Sequence, residues 1–194
     1  KTIKPVITAI DSGGIHTSEV YQYARERQAL GVIAIKGQSI RNKPPIGKPT
    51  RVDINIKGKS LKKGSLLYPV GVDTVKNTLI GRLKSNAEDS DAYIHFHATT
   101  GEEYFKQITS ERQQLKTNRA GFQVTMWVKK PNQRNEALDC WVYSYAAMVL
   151  YISKYPRNKV WKLLENKLNE LNNEVKHKRA TIKRTPTNDF VNNW

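Results

Sequence analysis

The distribution of apolar positions predicts a strand, a helix and a second strand at the start of the chain. Residues 6–10 are largely apolar or β-branched and predict a buried strand, which ends at Asp11 and a turn containing two glycines. Helical spacing of apolar positions follows over 17–27, and residues 32–37 predict the second strand. This order indicates a βαβ unit with parallel strands and a right-handed crossover.

The rest of the pattern extends this α/β arrangement. The further predicted elements are a strand over 51–56, a basic turn over 57–64 that closes a hairpin, a strand over 66–72, a helix over 74–84, a strand over 92–97, a helix over 102–115, a strand over 122–128 and a helix over 134–153. Asp73 follows its strand as Asp11 follows the first, and Asp139 lies within the last helix.

The character of the chain changes after Pro156. Apolar residues recur at alternating spacings of three and four, as in a short heptad pattern, at Trp161, Leu164, Leu168, Leu171 and Val175. The pattern is too short for a stable isolated coiled coil and leads into a basic segment. We therefore predict a main domain over 1–156 and, over 157–194, a basic helical arm with a flexible tail.

Charge narrows the class of partner. The 194 residues carry a net charge of +16, which favours a polyanion, most simply nucleic acid. The single cysteine, Cys140, excludes an internal disulfide framework. No apolar run predicts a membrane span. The chain opens at Lys1 and runs directly into a strand, so we expect it to be an excised domain.

Three acids form the candidate constellation: Asp11, Asp73 and Asp139. Converging carboxylates can hold two divalent cations about 3.5–4 Å apart, activate water and stabilise the leaving oxygen of a phosphodiester. Their hard oxygen ligands suit Mg²⁺ or Mn²⁺ rather than zinc. The residues thus predict a metal site for phosphodiester hydrolysis.

Each acid also has a purely structural interpretation. Asp11 suits an Asx turn before the glycines, and Asp73 suits the N-cap of the helix that follows it. Asp139 lies among apolar residues, where a carboxylate needs a partner, and Arg134 or a lysine could pair with it. Glu136, one helical turn earlier, could be an auxiliary ligand or part of an ion pair.

Other polar residues are weaker candidates. His95 and His97 alternate on one predicted strand and could assist a metal, although no zinc pattern accompanies them. Basic residues that could contact DNA phosphates without reading sequence are Lys36, Lys57, Lys59, Lys62 and Lys63. Ordinary surface charge is the alternative for each lysine taken singly.

Three segments resemble the large terminase subunit of lambda-like tailed phages. They are Asp11-Ser12-Gly13-Gly14 with Thr17, Gly71-Val72-Asp73-Thr74-Val75-Lys76, and Arg134-Asn135-Glu136-Ala137-Leu138-Asp139-Cys140, of which the last is the most specific. The resemblance runs from Val6 to about Tyr151 and covers the nuclease half of that family. Residues after Pro156 lie outside it.

This resemblance implies an RNase H-like fold with a mixed central sheet flanked by helices. It also implies an endonuclease that cuts concatemeric double-stranded phage DNA into genome ends, with two Mg²⁺ or Mn²⁺ ions held by Asp11, Asp73 and Asp139. The middle position, Asp73, is often glutamate in related terminases. Implied partners are an upstream packaging ATPase domain, the small terminase subunit and the portal, in the host cytoplasm and away from any membrane.

Two other classes of function compete with the nuclease. A non-catalytic DNA- or portal-docking module would use the three acids structurally. A sugar-kinase or actin-like fold would use the Asp11 turn to cradle phosphates, but it needs a second glycine-rich phosphate loop, which the sequence lacks.

Overall fold

The computed structural model describes residues 5–56, 58–84, 93–118 and 120–181, with residues 171–181 described as backbone only. The chain divides into two compact units, residues 1–151 and 152–194. Lys57, Ala92, Lys183, Arg184 and the predicted flexible tail lie outside the described residues. The assignment of nuclease and arm roles to 1–156 and 157–194 stays a prediction.

The first unit contains six strands and four α-helices within its described part. In chain order the elements are β1 (Thr8–Asp11), α1 (Thr17–Glu26), β2 (Val32–Gln38), β3 (Thr50–Ile56), β4 (Lys59–Gly71), α2 (Val72–Leu83), α3 (Glu102–Ile108), β5 (Glu111–Thr117), β6 (Gln123–Lys129) and α4 (Glu136–Ile152), with a short 3-10 helix at Gln28–Leu30 after α1. Helix α5 (Val160–Thr181) lies in the second unit.

The central sheet is mixed, with strand order β1-β2-β4-β3. β1 and β4 both pair with β2 in parallel, whereas β3 pairs with β4 antiparallel. The predicted βαβ unit and hairpin are therefore confirmed. Parallel pairing brings the carboxyl ends of β1, β2 and β4 to one edge, where open α/β sheets place their ligands.

Helices cover both faces of this sheet because β2 alternates its side chains. Val32 and Ala34 pack with α1 residues in one buried cluster. Ile35 joins the other cluster, in which α2 contributes Val75 and α4 contributes Leu138. The mixed sheet flanked by helices confirms the predicted α/β class and is consistent with an RNase H-like nuclease fold.

The basic segment predicted as a turn is mostly strand. β4 begins at Lys59, and the turn is reduced to the residues around Gly58, which has φ +77°. Asp53 lies at an irregularity in the pairing of β3 with β4, and its carboxylate accepts hydrogen bonds from Lys62 Nζ at 3.1 Å and from the Lys63 N–H at 2.7 Å. These bonds therefore join the two strands where the regular pairing of β3 and β4 is interrupted.

Two further element predictions are wrong. The predicted helix over 102–115 ends at Ile108, and Glu111–Thr117 instead forms a two-stranded sheet with β6. The predicted strand over 92–97 is absent from its described part, 93–97. There Phe96 packs edge-on against Phe105 and Trp141, so side-chain packing replaces strand pairing. No helix in the described residues is long and apolar enough to cross a membrane.

Candidate active site

Asp11 ends β1 and opens a turn that is fixed to the sheet. Its Oδ1 accepts a hydrogen bond from the Gly13 N–H at 3.0 Å, which confirms the Asx-turn interpretation. Buried Ser12 donates to the Ile35 carbonyl through its backbone N–H at 2.9 Å and its Oγ at 2.8 Å. Thr17 Oγ1 donates to the Ser12 carbonyl at 2.9 Å. The exposed Asp11 carboxylate is therefore carried by a rigid turn at the carboxyl edge.

Asp11 and Asp139 line one cavity of about 710 Å³. Glu136 and Tyr143 from α4 line it too. The structure thus brings together the first and third acids predicted from sequence, although they lie far apart along the chain.

The surroundings of Asp139 favour its neutral form. Burial is the largest cause that raises the pKa of Asp139, and the charges of Glu111, Asp11 and Glu136 raise it further. The ammonium group of Lys76 acts in the opposite direction. A cation in the cavity would reverse this balance, because it would favour the ionised carboxylate.

A partly buried network of polar side chains is hydrogen-bonded to Asp139. Lys76 Nζ and Glu111 Oε2 lie 2.8 Å apart, and each side chain is 7% exposed. Asn135 Nδ2 donates to Glu111 Oε1 at 3.0 Å and to Asp139 Oδ2 at 3.1 Å. The network therefore connects α2, β5 and the start of α4 to the cavity acid.

Tyr143 packs against the apolar cluster that includes Ile35 and lines the cavity with the two acids. Burial is the largest cause that raises its pKa, and the charges of Asp11 and Asp139 and a hydrogen bond to Asp11 add to the effect. Its phenol therefore stays protonated and can act as a donor in the cavity. Gly37 on β2 makes room for it, since a Cβ there would lie 2.9 Å from the Tyr143 hydroxyl oxygen.

Asp73 does not line this cavity. It lines a separate pocket of about 70 Å³ with the polar side chains of Arg41, Asn77 and Gln113. It is the second residue of α2, and the N-cap is Gly71, so the N-cap interpretation of Asp73 is wrong. A carboxylate in the first turn still complements the helix dipole.

The donor chemistry of the cavity fits a divalent cation, but the number of donors is incomplete. Asp11 and Asp139 offer the carboxylate oxygens that Mg²⁺ and Mn²⁺ prefer. Within the described residues, no group of three or more His, Cys, Asp or Glu is arranged to hold a metal ion. The fit therefore rests on two carboxylates, with the remaining coordination left to water or DNA phosphate.

The acids of α4 have different partners. Arg134 does not pair with Asp139 but with Glu136, through an Nε–Oε2 contact of 3.2 Å on the surface. Asp139 instead uses Asn135, with Lys76 nearby. Glu136 thus takes the ion-pair role and also lines the cavity.

Both candidate histidines are exposed and neither lines this cavity. His97 Nδ1 lies 2.7 Å from Thr99 Oγ1, and His95 packs edge-on against Tyr93. Their suggested role as metal ligands therefore has no support from these contacts.

The candidate lysines fall at two places on the sheet. Exposed Lys36 follows Ile35, which pairs with Asp11, so it lies close to the carboxyl edge. The exposed group Lys59, Lys62 and Lys63 lies at the opposite end of β4. At about 3.3 Å per residue, this group stands roughly 15–30 Å along the strand from the row that contains Ile35.

Sequence reasoning missed Glu111, Asn135, Lys76 and Tyr143. Lys76 carried a signal, because it shares the apolar face of α2 with Val72 and Leu79 and a buried ammonium requires an acid. Glu111 carried none, since its placement depends on strand pairing with β6.

Comparison with known proteins identifies the family to which this chain is similar. Residues 1–168 match the family model described as the endonuclease domain of the terminase large subunit gpA. The chain is 32% identical over 153 residues to the large terminase subunit of Escherichia phage lambda, covering 75% of this chain and 22% of that protein. It is 31% identical over 153 residues to that of Enterobacteria phage P21, with the same coverage. No solved structure matches the chain significantly.

Proposed function

The chain belongs to the endonuclease-domain family of the large terminase subunit, and from this premise we propose that it is a divalent-metal-dependent nuclease that cuts concatemeric double-stranded phage DNA into genome ends. The chain spans about a fifth of the length of the curated relatives it matches. We also propose that it acts in the host cytoplasm, together with an ATPase domain, the small terminase subunit and the portal.

One observation carries the proposal: Asp11 and Asp139 face a common cavity and each is held by a hydrogen bond. Each of these bonds engages one carboxylate oxygen, Oδ1 of Asp11 and Oδ2 of Asp139. The second oxygen of Asp139 would contact a Mg²⁺ or Mn²⁺ ion, and the Asp11 carboxylate, which also has a hydrogen bond with Tyr143, would contact the same ion. When bound, such an ion supplies positive charge beside the scissile phosphate and a more acidic water.

The other residues of the cavity have complementary roles in this proposal. The Tyr143 phenol, kept protonated by its surroundings, would donate a hydrogen bond near Asp11. Lys36, beside the same edge of the sheet, would contact a DNA phosphate and help to set the position of the duplex.

Asp73 enters the proposal separately. The sequence-based hypothesis makes it the third ligand, whereas its pocket is distinct from the one shared by Asp11 and Asp139. We therefore propose the Asp11–Asp139 pair as the core of the site. An Asp73 variant tests whether a third carboxylate takes part.

Plasmid nicking in Mn²⁺ tests the function with three isosteric variants, Asp11→Asn, Asp139→Asn and Asp73→Asn. Asparagine keeps an oxygen that can accept the Gly13 or Asn135 hydrogen bond, so folding should be preserved. We expect the first two variants to reduce cleavage by at least about 100-fold, since each removes a charge that would bind metal. Unchanged nicking by either variant would remove that carboxylate from the active site, whereas absence of Mn²⁺-dependent nicking by the wild type would favour the non-catalytic docking module.

A further inference from the structure

The side-chain amide of Asn135 lies between two carboxylates. Its Nδ2 is 3.0 Å from Glu111 Oε1 and 3.1 Å from Asp139 Oδ2. An amide nitrogen carries two hydrogens, so it can donate to both oxygens at once. The orientation of Asp139 is therefore coupled to the position of Glu111.

Glu111 is itself held firmly. Its other oxygen accepts a charge-assisted bond from Lys76, at 2.8 Å and with both side chains 7% exposed. Lys76 follows Val75, a fully buried member of the main apolar cluster. The bond from Glu111 thus ties the amide of Asn135 to the packed core through α2.

The backbone adds a second connection at the same residue. Asn135 immediately precedes α4, and its carbonyl accepts the Asp139 N–H at 3.0 Å. The main chain of Asn135 therefore helps to fix the backbone of residue 139, and its side chain helps to fix the carboxylate of that residue.

We propose that Asn135, anchored by the Lys76–Glu111 pair, is a positioning residue that orients the Asp139 carboxylate for a divalent cation in the cavity. This inference rests on the proposed function. By engaging Oδ2, the amide presents Oδ1 to the cavity shared with Asp11. Removing groups that orient a metal-binding carboxylate typically costs about 10–100-fold in metal affinity or activity.

Asn135→Ser is the sharpest test. Serine also suits the residue before a helix, so α4 can still begin at Glu136, but its short hydroxyl cannot serve both carboxylates. Mn²⁺ binding is measured by calorimetry without DNA, alongside thermal unfolding and the kcat and KM of plasmid nicking. We expect the Mn²⁺ Kd to rise by about 10–100-fold. The KM for DNA and the Tm should change little, and excess Mn²⁺ should restore kcat.

Gln107→Ala provides the matched control. Gln107 Oε1 accepts the Ala137 N–H at 3.0 Å, so this variant also removes a hydrogen bond at the start of α4 but leaves Asp139 untouched. We expect its Mn²⁺ affinity to equal that of the wild type. An equal decrease of affinity in both variants would show that Asn135 acts only by securing the helix and would overturn the inference.

A double variant covers the case in which Asn135→Ser does not fold. Lys76→Met with Glu111→Leu replaces the buried pair by apolar side chains of similar size, which a core often tolerates. It removes the anchor of Asn135, so the same decrease of Mn²⁺ affinity is expected at a near-normal Tm. Wild-type Mn²⁺ affinity in the folded double variant would contradict the proposed anchoring.

Failure of the inference and failure of the function are distinguishable. If Asp139→Asn abolishes Mn²⁺ binding and cleavage while Asn135→Ser keeps both, only the positioning role is wrong. If Asp139→Asn itself binds Mn²⁺ and cuts DNA like the wild type, the proposed Asp11–Asp139 site and the inference both fall. If the wild type does not cut DNA with Mn²⁺, the proposed function falls.

Discussion

Lys76 on α2 and Glu111 on β5 form an ion pair of 2.8 Å with both side chains 7% exposed. Breaking such a pair on one side leaves a buried charge without compensation, which typically costs about 3–5 kcal/mol. We therefore expect Lys76→Met to lower the free energy of unfolding by about that amount. Denaturant unfolding followed by circular dichroism measures it.

The exposed pair Lys62–Asp53 is the control for that prediction. Lys62→Met removes an ion pair of similar length, 3.1 Å, but its lysine side chain is 81% exposed. Exposed pairs contribute little to stability, so this variant should unfold much like the wild type. Equal decreases of the free energy of unfolding in the two variants would contradict the prediction that burial makes the loss of Lys76 more costly.

The first half of the fold could be predicted from sequence because its signals are local. The turn at Asp11 follows directly from an apolar strand and two glycines, and the bond from Ser12 to Ile35 joins neighbouring strands. Glu111 could not be placed, since its strand exists only by pairing with β6. Asp73 was grouped with Asp11 because each follows a predicted strand, yet its side chain lines a different pocket.

Asp139→Asn should stabilise the fold at neutral pH. Burial, followed by nearby carboxylates, raises the pKa of Asp139 in the folded protein above its ordinary value of 3.8. A carboxyl with a raised folded pKa contributes most favourably below its unfolded pKa, and this contribution disappears as pH rises through the folded value. The asparagine carries no such cost, so its Tm should exceed that of the wild type by a few degrees at pH 7.

Thermal unfolding between pH 3 and pH 8 checks this dependence, with Asp53→Asn as a control of opposite sign. Hydrogen bonds from the Lys63 N–H and the Lys62 ammonium lower the pKa of Asp53. Its charge therefore favours folding above the unfolded pKa, and that gain disappears as pH falls through the folded value. The advantage of Asp139→Asn should shrink toward pH 3. An advantage that stays constant with pH would exclude the titration of Asp139 as its cause.

Gly37→Ala should disturb the cavity through Tyr143. A Cβ at residue 37 would lie 2.9 Å from the Tyr143 hydroxyl oxygen and 3.0 Å from a methyl carbon of Val72. Overpacking of this kind typically costs about 1–3 kcal/mol, and the displaced phenol should reduce nicking. Gly81→Ala on α2 is the control, since its Cβ would meet nothing within 4 Å. A Gly37→Ala protein as stable and active as the Gly81→Ala protein would contradict this packing.

The lysines at the two ends of the sheet should contribute to DNA binding without sequence preference. Lys36→Gln combined with Lys59→Gln removes one exposed charge from each end of the sheet. Lys63 is left unchanged, because its φ of +52° means that a substitution there could also alter the stability of the backbone turn. For each lysine that binds a phosphate, its removal should make the slope of log affinity against log salt shallower by about 1. Fluorescence anisotropy from about 50 to 200 mM salt, with two unrelated duplexes, measures this slope.

Lys106→Gln, which breaks only the exposed pair with Glu102 at 2.9 Å, should keep the wild-type slope. A slope unchanged in the double variant would remove these lysines from the DNA surface, because charge that binds phosphate must release counterions.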